Sequence, residues 1–181
     1  DNPCGTVATA DGYIGIWQAG VKLYSVDFTG EAETGEAKVP ADYQLIDEFT
    51  SEALSESDVY TYKGVVGTGN ATHGLIPSDS WGGAVKIAEE SYIIYRLTSD
   101  TGYAFSSLSV DISAWLWNQS NDTAHAENAV NVYAGIRAND FGAAIATFRC
   151  TDATDNRLSV NVDLSSVAAG RKIVYVKIEL V

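Results

Sequence analysis

The sequence predicts an all-β fold, a two-sheet antiparallel sandwich of the jelly-roll type. Three observations predict it. Period-two alternation of apolar and polar residues recurs in several separate segments, turn-forming residues lie between them, and helical periodicity is nearly absent.

Taken along the chain, residues 1–22 are weakly patterned and read as a lead-in packed on the domain, with the sandwich spanning 23–181. Within the lead-in, Trp17 between Gly15 and Gly20 reads as a packing anchor. Gly30 to Lys38 is acidic and glycine-rich and reads as a solvated loop. Ala41 to Leu54 is the best helical candidate, because Tyr43, Ile46, Phe49 and Leu54 make a partial stripe at helical spacing. Gly64 to Gly83 is rich in Gly, Ser, Thr and Asn and reads as a long loop, a feature that more often carries function than a short one.

From there the alternation is clear. Ile93, Tyr95 and Leu97 alternate with Tyr92, Ile94 and Arg96. Val110, Ile112, Ala114 and Leu116 alternate with Asp111, Ser113, Trp115 and Trp117. Val130, Val132, Ala134 and Ile136 alternate with Asn131 and Tyr133. Leu158, Val160, Val162 and Leu164 form one face of the next strand, and Val174, Val176, Ile178 and Leu180 form one face of the last. Burial on one side only is the mark of antiparallel sheets. Ser165 to Gly170 reads as the turn between the last two strands.

Length and composition fit one domain. A chain of 181 residues buries a core large enough to fold without metal or disulfide. With 46% hydrophobic and 19% charged residues, wholesale disorder is excluded. The formal net charge is −13, and no Lys/Arg cluster offsets it, which argues against nucleic acid and against anionic membrane surfaces. It favours solubility and neutral or cationic partners, Ca²⁺ among them. No run of about 18 apolar residues is present, so no helical span and no membrane insertion is expected. The chain opens at Asp1 and contains no Met, the expectation for a secreted or cell-surface segment freed of its targeting peptide; a trimmed boundary looks the same.

Two cysteines, Cys4 and Cys150, suggest one disulfide tying the N-terminal segment to a late strand. Such a loop restricts the unfolded chain by roughly 5 kcal/mol on the entropy account. Two free buried thiols are the other reading. Asn70, Asn118 and Asn121 open N-x-Ser/Thr sequons.

Several residue groups suit a sugar ligand, which needs aromatic faces for its apolar ring faces and amides, carboxylates or guanidinium groups for its hydroxyls. Trp115 and Trp117 fall on the polar side of their strand and are expected to leave the core. Tyr133, Tyr175, Arg96, Asn131 and Lys177 fall on outward faces too. The other reading is that a loop or the N-terminal segment covers these rings in a second small core. The 64–83 loop offers Asn70, His73, Asp79, Ser80 and Trp81, followed by Gly82 and Gly83, which would let a ligand approach the backbone. A Trp81 that merely anchors the loop is the alternative.

Catalytic motifs are missing. No G-x-S-x-G occurs, the cysteines lack a matched His, His73 and His125 stand too far apart in sequence for a zinc cluster, and no EF-hand loop is present. Gly67-Thr68-Gly69 lacks the strand–turn–helix setting of a dinucleotide site.

Residues 24–181 resemble the galactose-binding-like β-sandwich modules appended to secreted bacterial glycoside hydrolases. The resemblance rests on Leu23 to Phe28, on Tyr92 to Leu97 with Ser107 to Ser113, on Val130 to Gly135, and on Val162 to Ser165 with Ile173 to Leu180. The family's turn after Ala134 departs here, where Asp140 and Gly142 are split by Phe141. The resemblance implies a jelly roll, a glycan site on end loops and a structural Ca²⁺, with Glu179 and, more loosely, Asp27 as its ligands. The expectation is a non-catalytic carbohydrate-binding module within a larger multidomain protein. Its rivals are a protein-interaction module of a surface assembly and, behind that, a jelly-roll lyase or glycosidase.

Overall fold

The computed structural model describes residues 21–34, 39–47, 49, 58–68, 78–79, 83–86, 88–99, 103–117, 128–149 and 155–181. These residues form an all-β sandwich. The strands are β1 (Val21–Thr34), β2 (Val39–Asp47), β3 (Val59–Lys63), β4 (Val65–Thr68), β5 (Ser78–Asp79), β6 (Gly83–Lys86), β7 (Ser91–Thr98), β8 (Phe105–Trp117), β9 (Ala129–Gly135), β10 (Ala146–Arg149), β11 (Asp155–Asp163) and β12 (Ile173–Leu180), with one short helix, α1 (Ser165–Ala168), between the last two.

One sheet has the order β11-β8-β1-β6-β4-β5, with β2 also paired to β1; the other has the order β10-β9-β12-β7-β3. All pairings are antiparallel except β4 with β5. Among the described residues no helix is long and apolar enough to cross a membrane.

The core lies between the sheets and follows the alternation. Val174, Val176, Ile178 and Leu180 of β12 are fully buried, as are Val130 and Val132 of β9 and Ile93, Tyr95 and Leu97 of β7. Opposite them stand Leu108, Val110, Ile112, Ala114 and Leu116 of β8, with Val26 and Phe28 of β1. An edge-to-face contact of Phe28 on Tyr95, 5.1 Å between centroids, joins the two layers, and Tyr43 meets Phe105 at 5.0 Å within the seven-stranded sheet.

Bulges adjust the phase. In β1 the buried residues run Val21 and Leu23, then Val26 and Phe28. The shift falls at Tyr24, where the register with β8 skips between Leu23 and Ser25. One extra residue returns the apolar set to the core face. At Gly30 the neighbouring strand comes close: a Cβ there would meet the Ser107 carbonyl oxygen at 2.4 Å.

Three sequence expectations are corrected. The helical candidate at 41–54 is a strand for its first part: β2 pairs with β1 over nine positions. Tyr43 and Asp47 are buried, while Ile46, a member of the supposed helical stripe, is 42% exposed. The edge of β1 needs backbone partners, and Tyr43, Leu45 and Asp47 alternate well enough to supply them. The loop expected from Gly30 to Lys38 is shorter, because Gly30 to Thr34 continue β1. The loop expected from Gly64 to Gly83 contains β4 and β5 and ends where β6 begins. Val21 and Lys22, at the start of β1, pair with Leu116 and Trp115.

The turn expected at 165–170 contains α1. The Ser165 N–H donates to the Asp163 carboxylate at 2.9 Å. The Ser165 hydroxyl sits against the Leu108 backbone, accepting from its N–H at 3.2 Å. These bonds pin the turn to β8.

Candidate functional site

The outer face of the five-stranded sheet gathers aromatic and polar side chains in registered rows. In one row Asn131 of β9 faces Glu179 of β12, which faces Tyr92 of β7, which faces Lys63 of β3. In the next, Tyr133 faces Lys177, and Lys177 faces Ile94. In the third, Gly135 faces Tyr175, and Tyr175 faces Arg96.

Glu179 is the hub of the polar part. Its carboxylate accepts from Lys177 Nζ at 2.6 Å, from Asn131 Nδ2 at 3.0 Å and from Tyr133 OH at 2.7 Å. The Lys177 ammonium also lies 4.9 Å from the Tyr92 ring centre and 5.1 Å from that of Tyr133. The Lys177 and Glu179 side chains are only 19% and 23% exposed, so solvent screens this pair less than a rim pair. Burial pushes the Glu179 carboxyl up, yet the hydrogen bonds from Lys177, Asn131 and Tyr133, with the Lys177 charge, together hold it below its ordinary value. Burial, followed by the bond to the Glu179 carboxylate, pushes the Tyr133 phenol up.

A pH consequence follows. A depressed carboxyl contributes stability that is present above its unfolded value and lost as pH falls through the folded one. Wild type minus Glu179→Gln, measured by urea unfolding, is therefore expected to show its full difference above about pH 4.5 and a shrinking one on further acidification.

The third row is aromatic. The rings of Tyr60 and Tyr175 meet edge to face at 5.4 Å, although their strands lie on either side of β7. Two strand spacings amount to about 9.6 Å, so the rings lean towards each other over β7, where Arg96 stands. Tyr60 is 53% exposed. It occupies the irregular step between Val59 and Thr61, which turns it out of the pleat's phase.

A turn walls the same row. On the outward side of Gly135, a Cβ would meet the Asp140 carbonyl oxygen at 2.5 Å and the Phe141 ring at 3.4 Å. The 137–141 turn, closed by the Arg137–Asp140 bridge, thus folds against β9 beside Tyr175. Gly135→Ala is expected to displace that turn and cost roughly 1–3 kcal/mol, read by chemical denaturation. At the other end of the face, Glu89, Glu90, Ser91, Glu179, Leu180 and Val181 line a pocket of about 410 Å³. Of its acids, Glu90 is paired with Lys63 and Glu179 with Lys177.

The structure brings together Tyr133, Arg96 and Glu179 from among the residues singled out in the sequence. Trp115 departs from the expectation of an open ring: it is 4% exposed. Its register opposite Lys22 and Arg157 does put it on the outward side of the seven-stranded sheet. Alternation decides the face and is silent on what covers that face, so the second reading, a packed ring, holds. Trp117 closes β8 opposite Asp155, and Asp79 lies in β5 opposite Thr68; the placement of their side chains lies outside what is described. Asn70, His73, Ser80, Trp81, Trp17, Cys4 and Cys150, with the sequons at Asn118 and Asn121, lie outside the described residues.

The calcium site implied by the resemblance does not fit its two named carboxylates. Glu179 lies on the outer face of one sheet and Asp27 in the outward phase of the other, with the core between them. Both Glu179 oxygens already accept from protein donors. Among the described residues no group of three or more His, Cys, Asp or Glu side chains could hold a metal ion.

A second concavity, of about 430 Å³, lies on the seven-stranded sheet, where Glu31, Asp42 and Asp163 stand among Thr29, Ser107 and Ser109. No aromatic side chain lines it. Sequence reasoning passed over Tyr60 and the 137–141 wall. Tyr92 was legible, since it shares its phase with Arg96.

Comparison with protein-family models, with curated proteins and with solved structures returns no match.

Proposed function

We propose that the protein is a non-catalytic carbohydrate-binding module that seats a glycan on the outer face of its five-stranded sheet. The Tyr60–Tyr175 pair standing beside the Glu179 hub carries this reading. The rings supply apolar surface for a sugar ring, and the held polar groups supply fixed partners for its hydroxyls. Groups already locked by one another lose little freedom on binding. The fold alone decides nothing, because sandwiches host unrelated functions.

A hydrolytic role has less support. Glu179, held ionised by Lys177, is a poor proton donor, and of the two other carboxylates lining its pocket, Glu89 and Glu90, the second is paired with Lys63. On this reading the module belongs to a secreted or surface protein and keeps a partner domain close to its glycan.

A protein-interaction role is the second reading. Ile136 follows β9 and Ile145 precedes β10, and they are 50% and 39% exposed; β10 ends the five-stranded sheet among the described residues. A sheet edge without a partner strand among the described residues, with apolar neighbours, suits strand addition.

A glycan-array screen separates the two. The wild-type domain is expected to bind one group of glycans, equally in Ca²⁺ and in EDTA, and the Tyr60→Ala/Tyr175→Ala double variant is expected to lose that signal. A blank array for the folded wild type would transfer the function to the edge of β10.

A further inference from the structure

Arg96 is a part-buried cation of the sheet face. Lys177 is paired with Glu179 and Lys63 with Glu90, whereas Arg96 makes no ion pair among the described residues. Its backbone N–H is satisfied by the Asp58 carbonyl at 2.7 Å. Its side-chain Nε is shielded from solvent and has no hydrogen-bond partner. Burying part of a guanidinium without an acceptor is costly, and proteins pair such groups or leave them for a ligand.

Two tyrosines stand near Arg96 on this face. Tyr175 is the cross-strand neighbour of Arg96, and Tyr60 leans in from the other side to meet it. Arg96 thus stands beside an aromatic pair on the sheet face, and planar, weakly hydrated guanidinium groups suit such surroundings. Tyr60, the more exposed ring, sits on β3, which ends the sheet among the described residues.

We propose that Arg96 receives the carboxylate of a single acidic sugar residue, so that the face selects an acid-bearing glycan over its neutral counterpart. This rests on the sheet face being the binding surface. A guanidinium group matches a carboxylate with two parallel hydrogen bonds, and Nε is one of the donors in that fork. The remaining charge limits the ligand to an isolated acid. The chain carries a net −13, and Glu89, Glu90 and Glu179 border the same face. A polyanion would be repelled, while one carboxylate placed at Arg96 is not.

The test uses sugar pairs that differ only in the acid: glucuronate- against glucose-terminated, galacturonate- against galactose-terminated, and sialylated against asialo-lactose. Calorimetry on the intact chain is expected to give at least a tenfold preference for the acidic member of one pair, shrinking as salt is raised. Arg96→Gln is expected to erase the preference, and Arg96→Lys, which keeps the charge and loses the fork, to retain part of it. Melting curves of both variants establish that they fold.

Equal binding of both members by the wild type overturns the role of Arg96 and leaves the sheet-face reading standing. A preference that survives Arg96→Gln does the same. A preference that survives Tyr60→Ala/Tyr175→Ala places the binding surface elsewhere and overturns both. Absence of binding to every pair also overturns both.

Discussion

Asp47→Ala is expected to lower the unfolding free energy by about 2–5 kcal/mol, the largest stability effect of any single polar substitution considered. Asp47 is 1% exposed at the end of β2. Its carboxylate accepts from Tyr95 OH at 2.8 Å and from the Phe49 N–H at 3.0 Å. Tyr95 belongs to the five-stranded sheet and Asp47 to the other, so the bond joins the layers through the core.

Alanine would strand two buried donors, each costing roughly 1–3 kcal/mol. It would also release Phe49, whose φ of 54° lies in the left-handed region, a conformation that costs a non-glycine residue about 1–2 kcal/mol. Asp47→Asn, which keeps one acceptor, is expected to fall between alanine and wild type in urea unfolding.

The same bond has an alkaline signature. Burial first, then the Asp47 charge and hydrogen bond, push the Tyr95 phenol well above its ordinary value. In the unfolded chain that tyrosine releases its proton near pH 10. Above that pH the folded state holds more protons than the unfolded one, so stability is present below about pH 10 and falls as pH rises further. Tyr95→Phe is expected to flatten that decline. An equal slope in the variant would assign it to other tyrosines.

The second large effect concerns binding. Tyr175→Ala is expected to weaken glycan binding by about 10–100-fold, or about 1.4–2.8 kcal/mol, the range of an interface anchor. Stability should change by only about 1 kcal/mol, since the ring lies on the outer face and gives up one edge-to-face contact. Tyr175→Phe keeps the ring and is expected to bind within a few-fold of wild type. A melting-temperature collapse in Tyr175→Ala would instead make the ring a structural prop.

Much of the sandwich was legible because one-sided burial imprints a period of two. Strands β7, β8 and β12 contain the alternating segments read from the sequence, and β9 and β11 contain theirs up to Ile136, which is 50% exposed past the end of β9, and Leu164, which follows β11. β2 was hidden, because Tyr43, Ile46, Phe49 and Leu54 mimic a helical stripe while the deciding factor, the open edge of β1, is a tertiary matter. The phase of β1 was hidden by the bulge at Tyr24.

The site was legible in part. Tyr133, Arg96, Lys177 and Glu179 could each be assigned an outward phase. Their convergence depends on the order β9-β12-β7, which places together strands far apart in sequence. Tyr60 escaped because its outward position comes from an irregular pairing, and Trp115 misled because its phase says nothing of cover.

The central claim is that the outer face of the five-stranded sheet binds the glycan. Its most direct test is an amide chemical-shift map of the labelled domain, titrated with the best oligosaccharide from the array. The account predicts shifts concentrated in β3, β7, β12 and the 137–141 turn, saturating together. Shifts confined to residues 69–82, or to the groove around Thr29 and Ser109, with the sheet face silent, would contradict it.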